Sequence, residues 1–533
     1  MDDKQFVWWK HGVIYQIYPR SFQDTSGNGV GDLTGILQRL DYLDWLGVDA
    51  VWISPMYPSP MHDFGYDVAD YVDVDPLFGS LADMDAIIAE AHKRGMRIIL
   101  DFVPNHSSWD HPWFIEARSG KDSAKRDWYI WRDPAPDGGP PNNWISHFGG
   151  KSAWEFDEAS GQYYFHLFLK EQPDLNWRNP AVQDAMADSL RFWFERGVDG
   201  FRVDVAHGVM KDPEWRDAPV NPDWVEGMDP FYRVKTSRYL NHPDVHLFNR
   251  WQRSIADEFD ERMMVGETYV PIPDLPNYYG EGDDEYHLAF NFHMIEAEWG
   301  AAAVKAIVNE YDGVLPEYAW PNYALGNHDR YRVATRAGIE QARVAMMLLL
   351  TLRGTPTMYY GDELGMQNVE IPPELEVDPW GLLAPGIGLG RDPVRTPMQW
   401  DASGNAGFSS AEITPWLPVS HDHKTVNVAT QKAQPDSMLN LTQQILQLRR
   451  VSADLTKGSY REHAASEHLF AYFRGEGLLI GLNFSAETQT LTLPTNAYKI
   501  ILTTYLDHPT QTDQPSIELR ANEGVIIQLA KQP

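Results

Sequence analysis

Three acids stand where short apolar runs end. Asp204 closes Gly-Phe-Arg-Val-Asp, Glu267 closes Val-Gly-Glu, and Asp329 closes Gly-Asn-His-Asp. A single Asp in such a place more often caps a helix than does chemistry. Three together, each beside an Arg, His or Gly, fit another task. Cleaving a glycosidic bond with retention needs a carboxylate nucleophile on one face of the sugar and a protonated carboxyl on the other, about 5 Å apart. Such a pair has to come from different strand ends, and Asp204 and Glu267 do.

The elements that must carry these acids recur along the chain. Eight short β-branched runs, at about 13–18, 50–54, 97–102, 200–204, 263–267, 288–292, 323–326 and 357–360, alternate with helical patterns such as 81–94 and 181–196. That alternation predicts parallel strands with crossover helices. Eight units predict an α/β fold, a (β/α)8 TIM barrel with reactive groups at the carboxyl ends of its strands. The barrel is expected over 1–104 and 177–451. Residues 105–176, rich in Trp, Pro and Gly, are too long and irregular for an ordinary connection and read as an inserted small domain after the third strand. A second irregular segment spans about 367–422. From 452 to 533 the pattern changes to short strands such as HLFAYFR and LLIGLNF, predicting a C-terminal antiparallel β domain, a β-sandwich.

Four segments then carry a resemblance: DFVPNH at 101–106, GFRVDVAH at 200–207, VGET at 265–268 and GNHD at 326–329. In this order they resemble the signature segments of the α-amylase superfamily, glycoside hydrolase family thirteen. QPDLNW at 172–177 resembles a fifth, characteristic of its oligo-1,6-glucosidase and α-glucosidase branch. The resemblance implies Asp204 as nucleophile, Glu267 as acid/base, and Asp329 as a group gripping sugar hydroxyls and favouring ring distortion. Arg202, on the same side of the strand as Asp204, is expected to keep it ionised. Glu267, beside a flexible Gly, is expected to hold its proton longer. His106 and His328 would donate hydrogen bonds to the same sugar. Asp63 and Arg391 match the pair that binds the far hydroxyls of a terminal glucose, which implies exo-cleavage. Tyr66 would stack beneath that ring and Phe168 would line the entrance. Asp67 and Arg395 read equally well as a structural salt bridge, and His207 as a structural residue. The loop 207–250, with Trp215, Trp224 and Phe231, is expected to line the leaving-group side.

A Gly-rich loop, Asp24-Thr-Ser-Gly-Asn-Gly-Val-Gly-Asp32, places oxygen-bearing groups at alternate positions, the pattern a hard cation requires. The resemblance implies Asp24, Ser26, Asn28, the Val30 carbonyl and Asp32 as ligands of a structural Ca²⁺ or Mg²⁺. Ser26 and Asn28 stand where relatives usually carry Asn and Asp, so one charge is lost. No organic cofactor is expected.

Composition narrows the partners. A formal net charge of -32 repels nucleic acid and anionic membrane surfaces, so neither is expected as a partner. A neutral small-molecule α-glucoside fits, and the 20 Trp and 25 Tyr supply flat apolar faces for sugar rings. The chain has no Cys, and its first residues lack the basic and apolar pattern of a secretory signal, so a cytoplasmic monomer or homodimer is the expectation. The main reading is a retaining exo-α-glucosidase. Trehalose synthase, sucrose isomerase or another glucosyltransferase shares the chemistry up to the glucosyl enzyme, although no RLDRD-like segment is present and VAHG, not AVPY, begins after Asp204. A non-catalytic family member would lack the three acids. Val205 after the nucleophile accompanies α-1,6 cleavage in this branch, but the following Ala-His-Gly departs from the isomaltase pattern, leaving linkage open.

Overall fold

The computed structural model describes residues 6–495, 497–507 and 514–530. All eight expected runs form parallel strands: β1 (Ile14–Ile17), β2 (Ala50–Ile53), β3 (Arg97–Phe102), β4 (Gly200–Val203), β5 (Met263–Gly266), β6 (Leu288–Ala289), β7 (Asn322–Ala324) and β8 (Thr355–Tyr359). Their order around the sheet is β7-β8-β1-β2-β3-β4-β5-β6. A parallel bridge between Asn291 and Tyr323 brings β6 and β7 together, so the barrel is nearly closed. Strands buried on both faces read as continuous apolar runs, which is why these segments lack clean alternation. One face still differs from the other. Ile14, Ala50, Trp52, Ile99, Met263, Val265, Leu288 and Ala324 pack inside the barrel, while their neighbours meet the surrounding helices.

The crossover helices start where their caps dictate. Helix Leu81–Lys93 opens on a capping box between Ser80 and Asp83, and Pro180–Glu195 has Asn179 as its cap and Pro in its first turn. Between β3 and β4 the chain forms a three-stranded antiparallel sheet from Trp131–Arg132, Gln162–Phe165 and Trp154–Asp157. An antiparallel bridge between His106 and Asp174 joins the two ends of this excursion above β3. After the barrel, five antiparallel strands and a separate two-stranded sheet enclose Leu469, Phe473, Leu479, Leu491, Leu519 and Ile527. Tyr472 reaches from that layer to the hydroxyl of Thr351 at 2.7 Å, at the end of helix Ile339–Thr351. Among the described residues no helix is long and apolar enough to cross a membrane.

Candidate active site

The parallel ladder runs one residue past the strands and delivers both acids. Asp204 N–H donates to Phe102 O at 2.8 Å, and Glu267 N–H to Val203 O at 2.9 Å. Gly266 is required by packing and not by flexibility: a Cβ there would lie 2.8 Å from the Tyr286 ring. Arg202, fully buried below the acids, donates from Nη1 to Asp101 at 2.5 Å and to Asp204 at 2.6 Å, while its Nη2 lies 2.6 Å from Glu267. One guanidinium therefore holds the two acids side by side.

The electrostatics differ from the sequence expectation. Arg202 does pull Asp204 down, but burial is the larger influence, and with the Glu267 and Asp101 charges it drives Asp204 well above the usual carboxylate range. Burial pushes Asp101 up to about 6 against the same arginine. Three carboxylates thus surround one buried cation, and their like charges add to burial in raising Asp204. Both Glu267 oxygens have donors, Arg202 on Oε1 and the Val205 N–H on Oε2 at 2.8 Å. Val205 turns that N–H inward by adopting φ 46°, a left-handed backbone that a β-branched side chain rarely accepts.

A cavity of about 370 Å³ opens over these acids and is lined by Asp63, Tyr66, His106, Phe168, His328, Asp329 and Arg391 as well. Asp63 and Arg391 meet at 2.7 Å. Tyr66 lies flat on His328, 5.3 Å between centroids with 2° between planes, and its hydroxyl is 2.7 Å from Nε2. Gln16 takes the other His328 nitrogen. His106 is held by Asn105, the Tyr66 carbonyl and Gln172, and burial depresses it to about 3. Both histidines are already hydrogen-bonded, and burial also depresses His328 well below the ordinary imidazole range. Asp329 is driven far below the usual range; burial opposes this, but His328, Arg391 and Arg395 prevail. Arg395 bonds Asp329 at 2.7 Å. Asp67 makes no ion pair with it and instead accepts the backbone N–H groups of His62 and Asp63, fixing a loop in which Met61 and Phe64 have positive φ.

Several residues of the site were not singled out from the sequence, although Gln172 and Asp174 lie in the QPDLNW segment. Asp378, from the irregular segment, binds Arg391 through Nη2 at 2.6 Å, Nε at 2.9 Å and its backbone N–H at 2.8 Å. Gln172 links Asp63 to His106, and a buried Lys211–Asp174 pair at 2.5 Å ties the loop after Asp204 to the end of the inserted sheet. His147, Phe148, Tyr269, Arg330 and Trp380 also line the cavity. Of the three loop aromatics, only Phe231 reaches it. Trp215 packs against Trp144 and Trp154, and Trp224 lies under Arg233. His207 lines the cavity too, with Nδ1 3.2 Å from the Glu267 carbonyl.

The family model for the α-amylase catalytic domain matches residues 16–458. The chain belongs to the α-amylase family. It is 42% identical to a probable α-glucosidase of Rhizobium meliloti (strain 1021), with 91% of each chain covered. It is 39% identical to the oligo-1,6-glucosidase of Parageobacillus thermoglucosidasius, covering 92% of each. The solved α-glucosyl transfer enzyme XgtA superposes with a TM-score of 0.93 at 37% identity, covering 99% of this chain and all of that one.

The Gly-rich loop has the donor chemistry for a hard cation, yet its acids are occupied. Asp24 accepts from Ser26, Gly27, Gly29 and Ser409; Asp32 accepts from Thr25 twice, Ser26 and Gly35. Each carboxylate thus has four donors, the capacity of its lone pairs. Asn28 accepts the Val30 N–H. Although burial opposes it, these bonds hold Asp24 below the usual carboxylate range. Among the described residues no three His, Asp or Glu side chains gather to hold a metal.

Proposed function

We propose that the protein is an exo-acting retaining α-glucosidase, removing the terminal non-reducing glucosyl unit of short neutral α-glucosides. The observation that carries this reading is the single guanidinium of Arg202 shared by Asp204 and Glu267 beneath a cavity lined by the paired Asp63 and Arg391, the latter held from behind by Asp378. In this reading Asp204 attacks the anomeric carbon while Glu267 protonates the departing oxygen. The C–O bond to the leaving group breaks as the bond to Asp204 forms. Water, deprotonated by Glu267, then releases glucose with its configuration kept. In the first step Asp204 reacts as the carboxylate and Glu267 as the acid, whose Oε2 leaves the Val205 N–H to reach the glycosidic oxygen. Asp329, kept anionic by its arginines, accepts sugar hydroxyls and supports the developing positive charge.

The test is a panel of maltose, isomaltose, sucrose and an aryl α-glucoside, with the anomer of released glucose read by NMR. Initial release of α-glucose is expected; release of β-glucose overturns the mechanism, and glucosyl transfer without hydrolysis favours the transferase alternative, which the likeness to XgtA supports. For the loop at 24–32 we propose a structural Ca²⁺ or Mg²⁺ bound by Asp24, Ser26, Asn28, the Val30 carbonyl and Asp32, in exchange for N–H donors those acids now hold. We further propose a cytoplasmic monomer or homodimer, a location in keeping with a chain that contains no cysteine.

A further inference from the structure

Two polar side chains in the cavity make no side-chain hydrogen bond among the described residues. Arg330, directly after Asp329, forms only a long ion pair with Glu296 at 3.8 Å. It is held by flat contacts, with its guanidinium 5.4 Å from both the Tyr269 and Trp380 rings. His147, from the inserted segment, stands against the same Trp380 at 4.7 Å and against Phe231 at 4.5 Å. Burial, with Arg330 and Arg391 adding to it, depresses His147 to about 3, so the ring is neutral and offers one donor and one acceptor. A guanidinium and an imidazole fixed by aromatic walls, with their polar edges free, are preorganised for a ligand.

Their position gives the ligand's chemistry. Tyr269, against which Arg330 lies, is two residues past Glu267, and Phe231, against which His147 lies, comes from the loop after Asp204, so the pair stands on the acid/base side of the cavity, where the leaving group departs. We propose that Arg330 and His147 are specificity-determining residues that hydrogen-bond the hydroxyls of a neutral sugar leaving group. The charge of Arg330 is balanced by Asp329 and Glu296, and Asp274 lines the same cavity. An anionic leaving group would meet Asp204, Glu267, Asp274 and Asp329, so a phosphorylated or uronic unit is disfavoured. This inference rests on the α-glucosidase reading.

The experiment measures kcat/KM of the full chain and of its R330A, R330Q and H147A variants on a neutral disaccharide and on 4-nitrophenyl α-glucoside, whose leaving group offers no hydroxyl. Hydrogen bonds from a charged donor are lost in R330A, so the disaccharide-to-aryl ratio is expected to fall roughly ten-fold or more. H147A is expected to lower it less, and R330Q, which keeps an amide donor, less than R330A. Thermal melts accompany each variant, and R330Q carries the test if R330A fails to fold. Wild-type enzyme is expected to cleave the neutral disaccharide better than its 6-phosphate. Unchanged ratios in folded variants, or a preference for the phosphate, overturn the inference while leaving hydrolysis intact. Absence of any α-glucoside hydrolysis by the wild type instead overturns the function it rests on.

Discussion

Asp378 offers a demanding test, because the α-glucosidase reading needs Arg391 held against Asp63 and Asp378 does the holding. Asp378 is buried and kept below the usual carboxylate range; burial opposes this, but Arg391 and Arg395 outweigh it. Asp378→Ala deletes acceptors for Arg391 Nη2 at 2.6 Å, Nε at 2.9 Å and the backbone N–H at 2.8 Å. Removing one partner of a buried pair costs about 3–5 kcal/mol. Arg391 keeps Asp63 at 2.7 Å and Asp329 at 3.4 Å, which places the loss near the lower end, about 3 kcal/mol. Asp378→Asn keeps acceptor oxygen but loses the charge, and about half that loss is expected. Asp378 acts on substrate only through Arg391, so it is a positioning residue. Contacts with the terminal glucose that persist from ground to transition state govern KM more than kcat. A KM increase on the order of 10-fold, about 1.4 kcal/mol, with a smaller change in kcat is the expected signature. Urea unfolding followed by Trp fluorescence, beside kinetics on 4-nitrophenyl α-glucoside, measures both. An Ala variant as stable as the wild type would refute the anchoring role. Lost stability with unchanged KM would refute the contact between Arg391 and substrate.

Other perturbations separate the acids and the loop. Glu267→Gln is expected to lose ~10²–10⁴-fold in kcat on maltose and less on an aryl α-glucoside, whose leaving group needs little protonation; equal losses would remove Glu267 from the acid role. Asp362 is pushed up to about 7 by burial, against Arg332 at 3.7 Å. Its raised value means that its favourable contribution is full below the unfolded carboxylate pKa and lost as pH rises through 7. Asp362→Asn removes that loss, so the variant should gain about 2–3 kcal/mol relative to wild type between pH 5 and pH 8 in urea unfolding, whereas a flat difference would show Asp362 ionised throughout. Calcium added to chelator-treated protein is expected to raise Tm, and Asp24→Ala to abolish the rise; a Tm indifferent to chelator and calcium would defeat the cation site.

Much of the barrel was legible in the chain. A strand buried on both faces must be apolar throughout and a crossover helix must be amphipathic, so eight runs with intervening helical periods announce β1 to β8. The strand-end acids were legible for the same reason, since a polar residue closing such a run has to face the barrel mouth. Gly266 was misread because a Gly between apolar residues looks flexible, whereas the ring of Tyr286, far enough along the chain to be invisible in the motif, excludes a Cβ. Trp215 and Trp224 were misplaced because an aromatic in a loop carries no mark of which way it turns. Only the fold sends Trp215 toward Trp144 and Trp154.

By itself the sequence determined which residue types could meet: three acids, an arginine two residues from one of them, and the motif order that ties the chain to its family. Tertiary structure decided how those charges balance. Arg202 serves Asp101 and Glu267 as well as Asp204, so burial and neighbouring anions prevail over the pairing read from spacing alone. It also decided that Asp378 completes the grip on Arg391 and that Arg330 and His147, far apart in the chain, line one cavity with the acids. Ion pairing and solvent exclusion depend on every charge within a few ångströms, and those neighbours come from segments hundreds of residues apart, whose approach only the closed barrel and its loops bring about.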